Sequence, residues 1–204
     1  GENLELKEYN PDFIVLCNND TCLIHNNFYD GVCSFFEKTK FDVMGPMIVT
    51  KDGDRTSSPE DGHIFSRSEV KHLMFRFYKS YLLNKLNLST NKKTNELNKK
   101  VVTDVKEDVI LHGSFMVFSK KYIDKFDGLD SRTYMYLEED ILYLHLKHNN
   151  MESYYNPNIE ILHKEYASTN SATKSSREKN MFIAKNTIKS LKVYMNILNE
   201  YGIK

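Results

Sequence analysis

The chain of 204 residues contains no tryptophan, only 3 cysteines, no net charge and no long apolar run. Each shortage excludes something. Cys17, Cys22 and Cys33 are odd in number and form no C-x-x-C pair, so neither a disulfide frame nor a thiolate zinc site is expected. Free thiols in a reducing compartment fit better. Lys+Arg and Asp+Glu are 28 each, which removes the electrostatic case for nucleic acid as the main partner. No apolar run reaches the length of a spanning helix and no signal-peptide pattern opens the chain, so a soluble, cytoplasmic location is expected. What is present is a length sufficient for one core and, without Trp, 13 Tyr and 12 Phe. Those aromatics can build a core and also sugar- or base-facing surfaces.

Taken in order, the patterns alternate between strand and helix. Asn10-Pro11 is a turn signal, and Asp12 to Cys17 reads as a short, fully buried strand of the parallel-sheet type. Phe28, Val32, Phe35 and Phe36 predict a helix within 27–40. Asp42 to Val49 predicts a second strand interrupted at Gly45-Pro46, so the chain opens as strand, helix, strand. With Ser68 as N-cap, Val70, Leu73, Met74, Phe77, Tyr78, Tyr81 and Leu82 recur at helical steps. Core packing or a membrane or partner surface would use that stripe. Residues 88–108 are expected to be an exposed loop. Val109 to Phe118 resumes sheet character around Gly113-Ser114, followed by a short helix over 120–126. An acidic helix over 137–147, strands at 152–155 and 158–162, a polar loop at 164–176 and a long helix over 178–199 complete the chain.

Three places carry candidate chemistry. Asn18, Asn19 and Asp20 follow a buried strand, where open α/β sheets place ligand groups; Asp20 either binds a divalent cation or closes an Asx turn. Gly113-Ser114 marks either a plain bulge or a close approach to the backbone. His163 at a strand end is a metal ligand or a structural histidine. Most telling is Tyr134 to Asp140, which is either the acidic first turn of an ordinary surface helix or a site for a base. Neighbours on a helix point about 100° apart, so Glu138, Glu139 and Asp140 cannot share one environment. A carboxylate there beside Tyr and Leu has the surroundings that lift a pKa towards that of a base.

The order of these pieces resembles the inverting glycosyltransferases with the GT-A fold, and among them the bacterial rhamnosyltransferase-like members. Five stretches carry the resemblance: Phe13 to Thr21, Gly113 to Phe118, Phe126 to Asp130, Tyr134 to Asp140, and Tyr155-Asn156-Pro157 through His163. It implies a GT-A-like (Rossmann-like) α/β domain with a mixed sheet flanked by helices, spanning 1–204 and truncated at its N-terminus. Residues 68–108 would be a helical and loop insertion, and 171–204 a C-terminal loop and helix. It implies donor-binding roles for Asn18, Asn19, Asp20, Gly113 and Ser114, and a Mg²⁺ or Mn²⁺ ion on Asp20 and His163. A base would come from Glu139 or Asp140, with Glu138 the third candidate. The donor would be a nucleotide-sugar and the acceptor a glycan or lipid-linked glycan of cell-surface polysaccharide synthesis, at the inner face of the membrane. Asn18-Asn19 depart from the more acidic pattern of other members, and the βαβ unit that grips the nucleotide base in the family is not found. A non-catalytic binding or scaffold domain and a metal-dependent hydrolase are the alternatives. The absence of an H-x-H or D-x-H pair near Asp20 counts against the hydrolase.

Overall fold

A computed structural model describes residues 9–55, 59–88, 101–133, 135–164 and 175–203. The described residues divide into two compact units, one of 9–63, 101–129 and 142–164, the other of 64–88, 130–141 and 175–203. The first unit is a mixed α/β sheet flanked by helices. Its elements are β1 (Phe13–Cys17), β2 (Thr21–Leu23), α1 (Phe28–Thr39), β3 (Val43–Thr50) and β4 (Glu60–Asp61). The second contains α2 (Arg67–Lys85). The first resumes with β5 (Lys106–Glu107), β6 (Val109–Ile110), β7 (Phe115–Ser119) and α3 (Lys120–Lys125). Next comes α4 (Glu138–His148), whose residues to Ile141 belong to the second unit and the rest to the first. β8 (Ser153–His163) closes the sheet, and α5 (Ser176–Glu200) closes the second unit.

The sheet runs β1-β7-β3-β8-β2, with β5 also on β8, and only β3 and β8 pair in parallel. Alternation along the strands builds two apolar layers. Val43, Met47, Met116 and Phe118 face one way, against Tyr122 of α3 and Leu142 and Leu146 of α4. Met44, Ile48, Phe115 and Val117 face the other, against Val32, Phe28 and Phe35 of α1 and the fully buried Phe41. β3 carries apolar residues on both faces because both are covered.

Several expectations change. β1 is neither fully buried nor paired in parallel. It lies antiparallel to β7 at the sheet edge among the described residues, with Val15 and Leu16 more than 40% exposed. β1 and β3 do run the same way, but β7 lies antiparallel between them. The strands expected at 152–155 and 158–162 are one, β8. Its ladder to β3 jumps from Pro46↔Asn156 to Met47↔Glu160, so the irregular backbone around Pro157 is taken up as a bulge instead of a break. Gly113-Ser114 is a turn: β6 pairs with β4 in a separate ribbon before the turn, and β7 joins the main sheet after it. The loop expected over 88–108 contains β5; residues 89–100 of it, 165–174 of the later loop, and Tyr134 lie outside the described residues.

In the second unit α2 and α5 pack antiparallel. Arg67 at the start of α2 donates to the Ile203 carbonyl past the end of α5 (2.8 Å). At the other end Arg177 donates to the Asn84 and Lys85 carbonyls at 2.6 and 2.7 Å, placing a cation on the negative end of α2. Ser66, not Ser68, is the N-cap. Its hydroxyl accepts from the Glu69 N–H while the Glu69 carboxylate accepts from the Ser66 N–H, a capping box that Ser68 has no Glu or Gln to build. The unit's centre is Leu191, Tyr194, Ile197 and Leu198, all fully buried. The buried tyrosine hydroxyl accepts from the Phe65 N–H at 3.1 Å.

Candidate functional site

The end of β1 and the end of β8 meet through the short strand β2. Asn18 N–H donates to the Ser114 carbonyl (2.9 Å), which ties the end of β1 to the turn before β7. The Thr21 N–H and hydroxyl both donate to the Asn18 carbonyl, at 3.1 and 2.7 Å, closing a turn across Asn19 and Asp20. The chain then enters β2, where Thr21 is in register with His163. The Asp20 carbonyl accepts from the Lys164 N–H (2.9 Å). These backbone bonds leave the Asp20 side chain facing His163, with Oδ1 3.2 Å from Nε2. A threonine closes the turn, so the Asx turn is not what occupies Asp20. Asn18 and Asn19 are exposed beside the pair.

A third polar group was not expected. The His112 ring lies edge-on to His163, centroids 6.3 Å apart. Its Nδ1 accepts from the Ser114 N–H (3.2 Å) and lies 2.8 Å from the buried Ser114 hydroxyl. An Nδ1 that accepts from a backbone N–H carries no proton, so in the neutral ring the proton is on Nε2. The signal for His112 was its place at the break in the strand pattern, two residues before Ser114. Asn18, Asp20, His112, Ser114 and His163 thus lie together in the first unit, Asn18 exposed and Ser114 buried, with Gly113 in the turn between His112 and Ser114.

Asp20 and His163 suit a divalent cation as a pair of donors. Their 3.2 Å separation is close to the ~3 Å between adjacent ligands of an octahedral ion with bonds of about 2.1 Å. Among the described residues no group of three or more His, Cys, Asp or Glu gathers for a metal, so water or a ligand's oxygens would complete such a site. A nearby cavity of about 100 Å³ does not compete for this role. Its walls, with Ile14, Leu16, Phe118, Tyr122 and Leu129, offer no charged group.

The three acidic candidates all fall in the first turn of α4, within the second unit. The backbone before them is strained: Tyr136 and Leu137 have φ of 70° and 63°, a left-handed conformation costing roughly 1–2 kcal/mol per such residue. The segment is held on both sides. Ser190 of α5 donates its hydroxyl to the Met135 carbonyl (3.0 Å), and Arg132 pairs with both Asp130 and Glu200 at 2.7 Å. Glu138, Glu139 and Asp140 are each half-buried, yet their surroundings differ. Burial lifts the Glu138 carboxyl above its ordinary range, helped by the Glu139 charge and opposed by backbone N–H donors. The Tyr136 hydroxyl beside it is buried with no hydrogen-bond partner among the described residues. Asp140 instead faces Tyr194, whose hydroxyl is pushed up to about 12, first by burial and further by the Asp140 charge.

The lifted Glu138 carboxyl sets a sign. A raised folded-state pKa gives stability that is fully present below the unfolded carboxyl value near ~4.3 and is lost as pH rises through the folded value. Glu138→Gln carries no charge at any pH. It should melt higher than the wild type at neutral pH, and the gap should close below about pH 4. Melting curves across pH test this; equal stability at neutral pH would remove the desolvated carboxylate.

No protein-family model matches the chain, and neither does any curated protein or any solved structure.

Proposed function

We propose that the chain belongs to an inverting glycosyltransferase of the GT-A type, moving a sugar from a nucleotide-sugar to a hydroxyl of a glycan or lipid-linked acceptor. The observation that carries this reading is the meeting of Asp20 and His163, from two distant stretches of the sequence that the resemblance assigns to one metal site. Asp20 Oδ1 and His163 Nε2 would hold Mg²⁺ or Mn²⁺, with Asn18, Asn19 and Ser114 beside the donor. A bound cation would neutralise charge on the departing nucleoside diphosphate. The acceptor oxygen attacks the anomeric carbon from the face opposite the diphosphate. The C–O bond to the diphosphate breaks, and the hydroxyl proton passes to a general base, the role the resemblance assigns to the acidic segment. One base suffices, with no covalent intermediate.

The test is a thermal-shift series with UDP, dTDP and GDP, each with and without Mn²⁺. A ligand at about 100 times its Kd stabilises by ~2.7 kcal/mol, which for a chain of this size raises Tm by roughly 5–10 °C. One nucleotide should give that rise only with metal, and Asp20→Ala and His163→Ala should each abolish it. A second reading has one observation in its favour: the Asp20–His163 contact can serve simply as a strap between the start of β2 and the end of β8. No shift with any nucleotide, together with a lower Tm in both alanine variants, would select that structural role.

A further inference from the structure

Helix α2 has two apolar faces, and among the described residues only one is packed. Val70 and Asn84 are buried, with Leu73, Met74, Phe77 and Tyr81 half-buried on the same side. The opposite side carries Phe75, Tyr78, Leu82 and Leu86, exposed by 68, 43, 52 and 65%. At 100° per residue these four fall within a stripe ~80° wide that runs along the C-terminal half of the helix to its cap residue, Leu86. An exposed apolar stripe of this extent on a helix marks a contact surface.

Its charge says what the contact is. From Val70 to Leu88 there is no Asp or Glu. Lys79 borders the stripe on one side and Lys85 on the other, with Lys71 near its N-terminal end, and all three are exposed. Long lysine stems can lie along the apolar stripe while their ammonium groups reach outward. Aromatic and leucine side chains over the C-terminal half, edged by lysines, match a flat anionic layer over an apolar one, which is the surface of a bilayer containing acidic lipids. A protein groove would have to meet lysines spread along the full helix with matched acids. The helix cannot cross a membrane: no helix among the described residues is long and apolar enough. We propose that α2 lies flat in the headgroup region of an anionic membrane, with Phe75, Tyr78, Leu82 and Leu86 inserted and the lysines on phosphate and carboxylate groups. This contact stands independently of the transferase reading.

Sedimentation of the full chain with phosphatidylcholine vesicles, with and without phosphatidylserine, tests it. The chain should sediment with the phosphatidylserine vesicles and be released by high salt. Lys79→Gln and Lys85→Gln should each weaken binding about fivefold. Phe75→Glu with Leu82→Glu should abolish it while leaving the melting curve unchanged, because both side chains are exposed in the free protein. Phe77→Glu would be the wrong probe, since Phe77 lies on the packed side. Absence of sedimentation with phosphatidylserine vesicles overturns the proposal, as does binding that survives the double glutamate variant. Binding to soluble polyanions without binding to vesicles overturns it too.

Discussion

Glu139→Gln is expected to slow the proposed sugar transfer by roughly 10²–10⁴-fold, the usual contribution of a positioned general base. The proposed metal-dependent nucleotide shift should survive, because in that proposal it would report Asp20 and His163. Three carboxylates compete for the role, and their surroundings make the competition decidable. Asp140 faces the deeply buried Tyr194, whose hydroxyl it helps to keep protonated, so Asp140→Asn should change stability as well as rate. Glu138 is the carboxyl lifted by burial, beside a tyrosine hydroxyl with no partner among the described residues. Glu139 lies between them on the same strained turn. If Glu139 is the base, its Gln variant alone should lower kcat without a matching change in Tm, and Glu138→Gln should act mainly on the pH dependence of kcat. Full activity in Glu139→Gln, with loss in Glu138→Gln, would move the role to the desolvated carboxyl.

How much of this could be read from the chain depends on what kind of information each feature needs. The helices were legible because their periodicity is local: α1, α3, α4 and α5 fall within a residue or two of where apolar spacing puts them. The cap of α2 is misplaced at Ser68; the signal that separates the two serines is Glu69, three residues after Ser66 and not after Ser68. Strand neighbours were not legible. Phe13 to Cys17 is uniformly apolar, and such a run looks the same in a buried central strand and at an edge whose outer side is open. Pro157 suggested two strands because the jump in register that accommodates it lies in the pairing with β3, far away in sequence. The same limit applies to the polar face. Asp20 and His163 could be matched only through a resemblance in motif order. His112 joins them through a turn that hydrogen-bonds its ring, and no spacing rule announces that. The second apolar stripe of α2 is hidden because Tyr78 and Leu82 recur at steps that also fit the packed face, and periodicity alone cannot say which of two adjoining faces meets a partner.

Gly62 has no room for a side chain. Its N–H donates to the Asp108 carbonyl (3.2 Å), which brings its backbone against the buried Tyr143 of α4. A Cβ at this position would overlap the Tyr143 hydroxyl oxygen and Cζ, and would stand 2.6 Å from the Asp108 carbonyl oxygen. The tyrosine cannot swing away cheaply. Its hydroxyl donates to Asp108 Oδ1 at 2.7 Å, and Lys147 Nζ sits 2.9 Å from the same oxygen. That donor and cation hold the Asp108 carboxyl below its ordinary range, the tyrosine hydrogen bond being the larger cause. Gly62→Ala must therefore push the ring off its hydrogen bond or move the Asp108 backbone. Overpacking costs about 1–3 kcal/mol and a lost bond to a charged group adds ~1.5–3 kcal/mol. A total of about 2.5–6 kcal/mol, the lower end applying if the Asp108 backbone moves instead, would lower Tm by roughly 5–24 °C. The cause is checked by a double-variant cycle. In a Tyr143→Ala background the added methyl meets no ring, so Gly62→Ala should cost much less there than in the wild type. Equal costs in the two backgrounds would mean that the methyl is opposed by the Asp108 backbone alone.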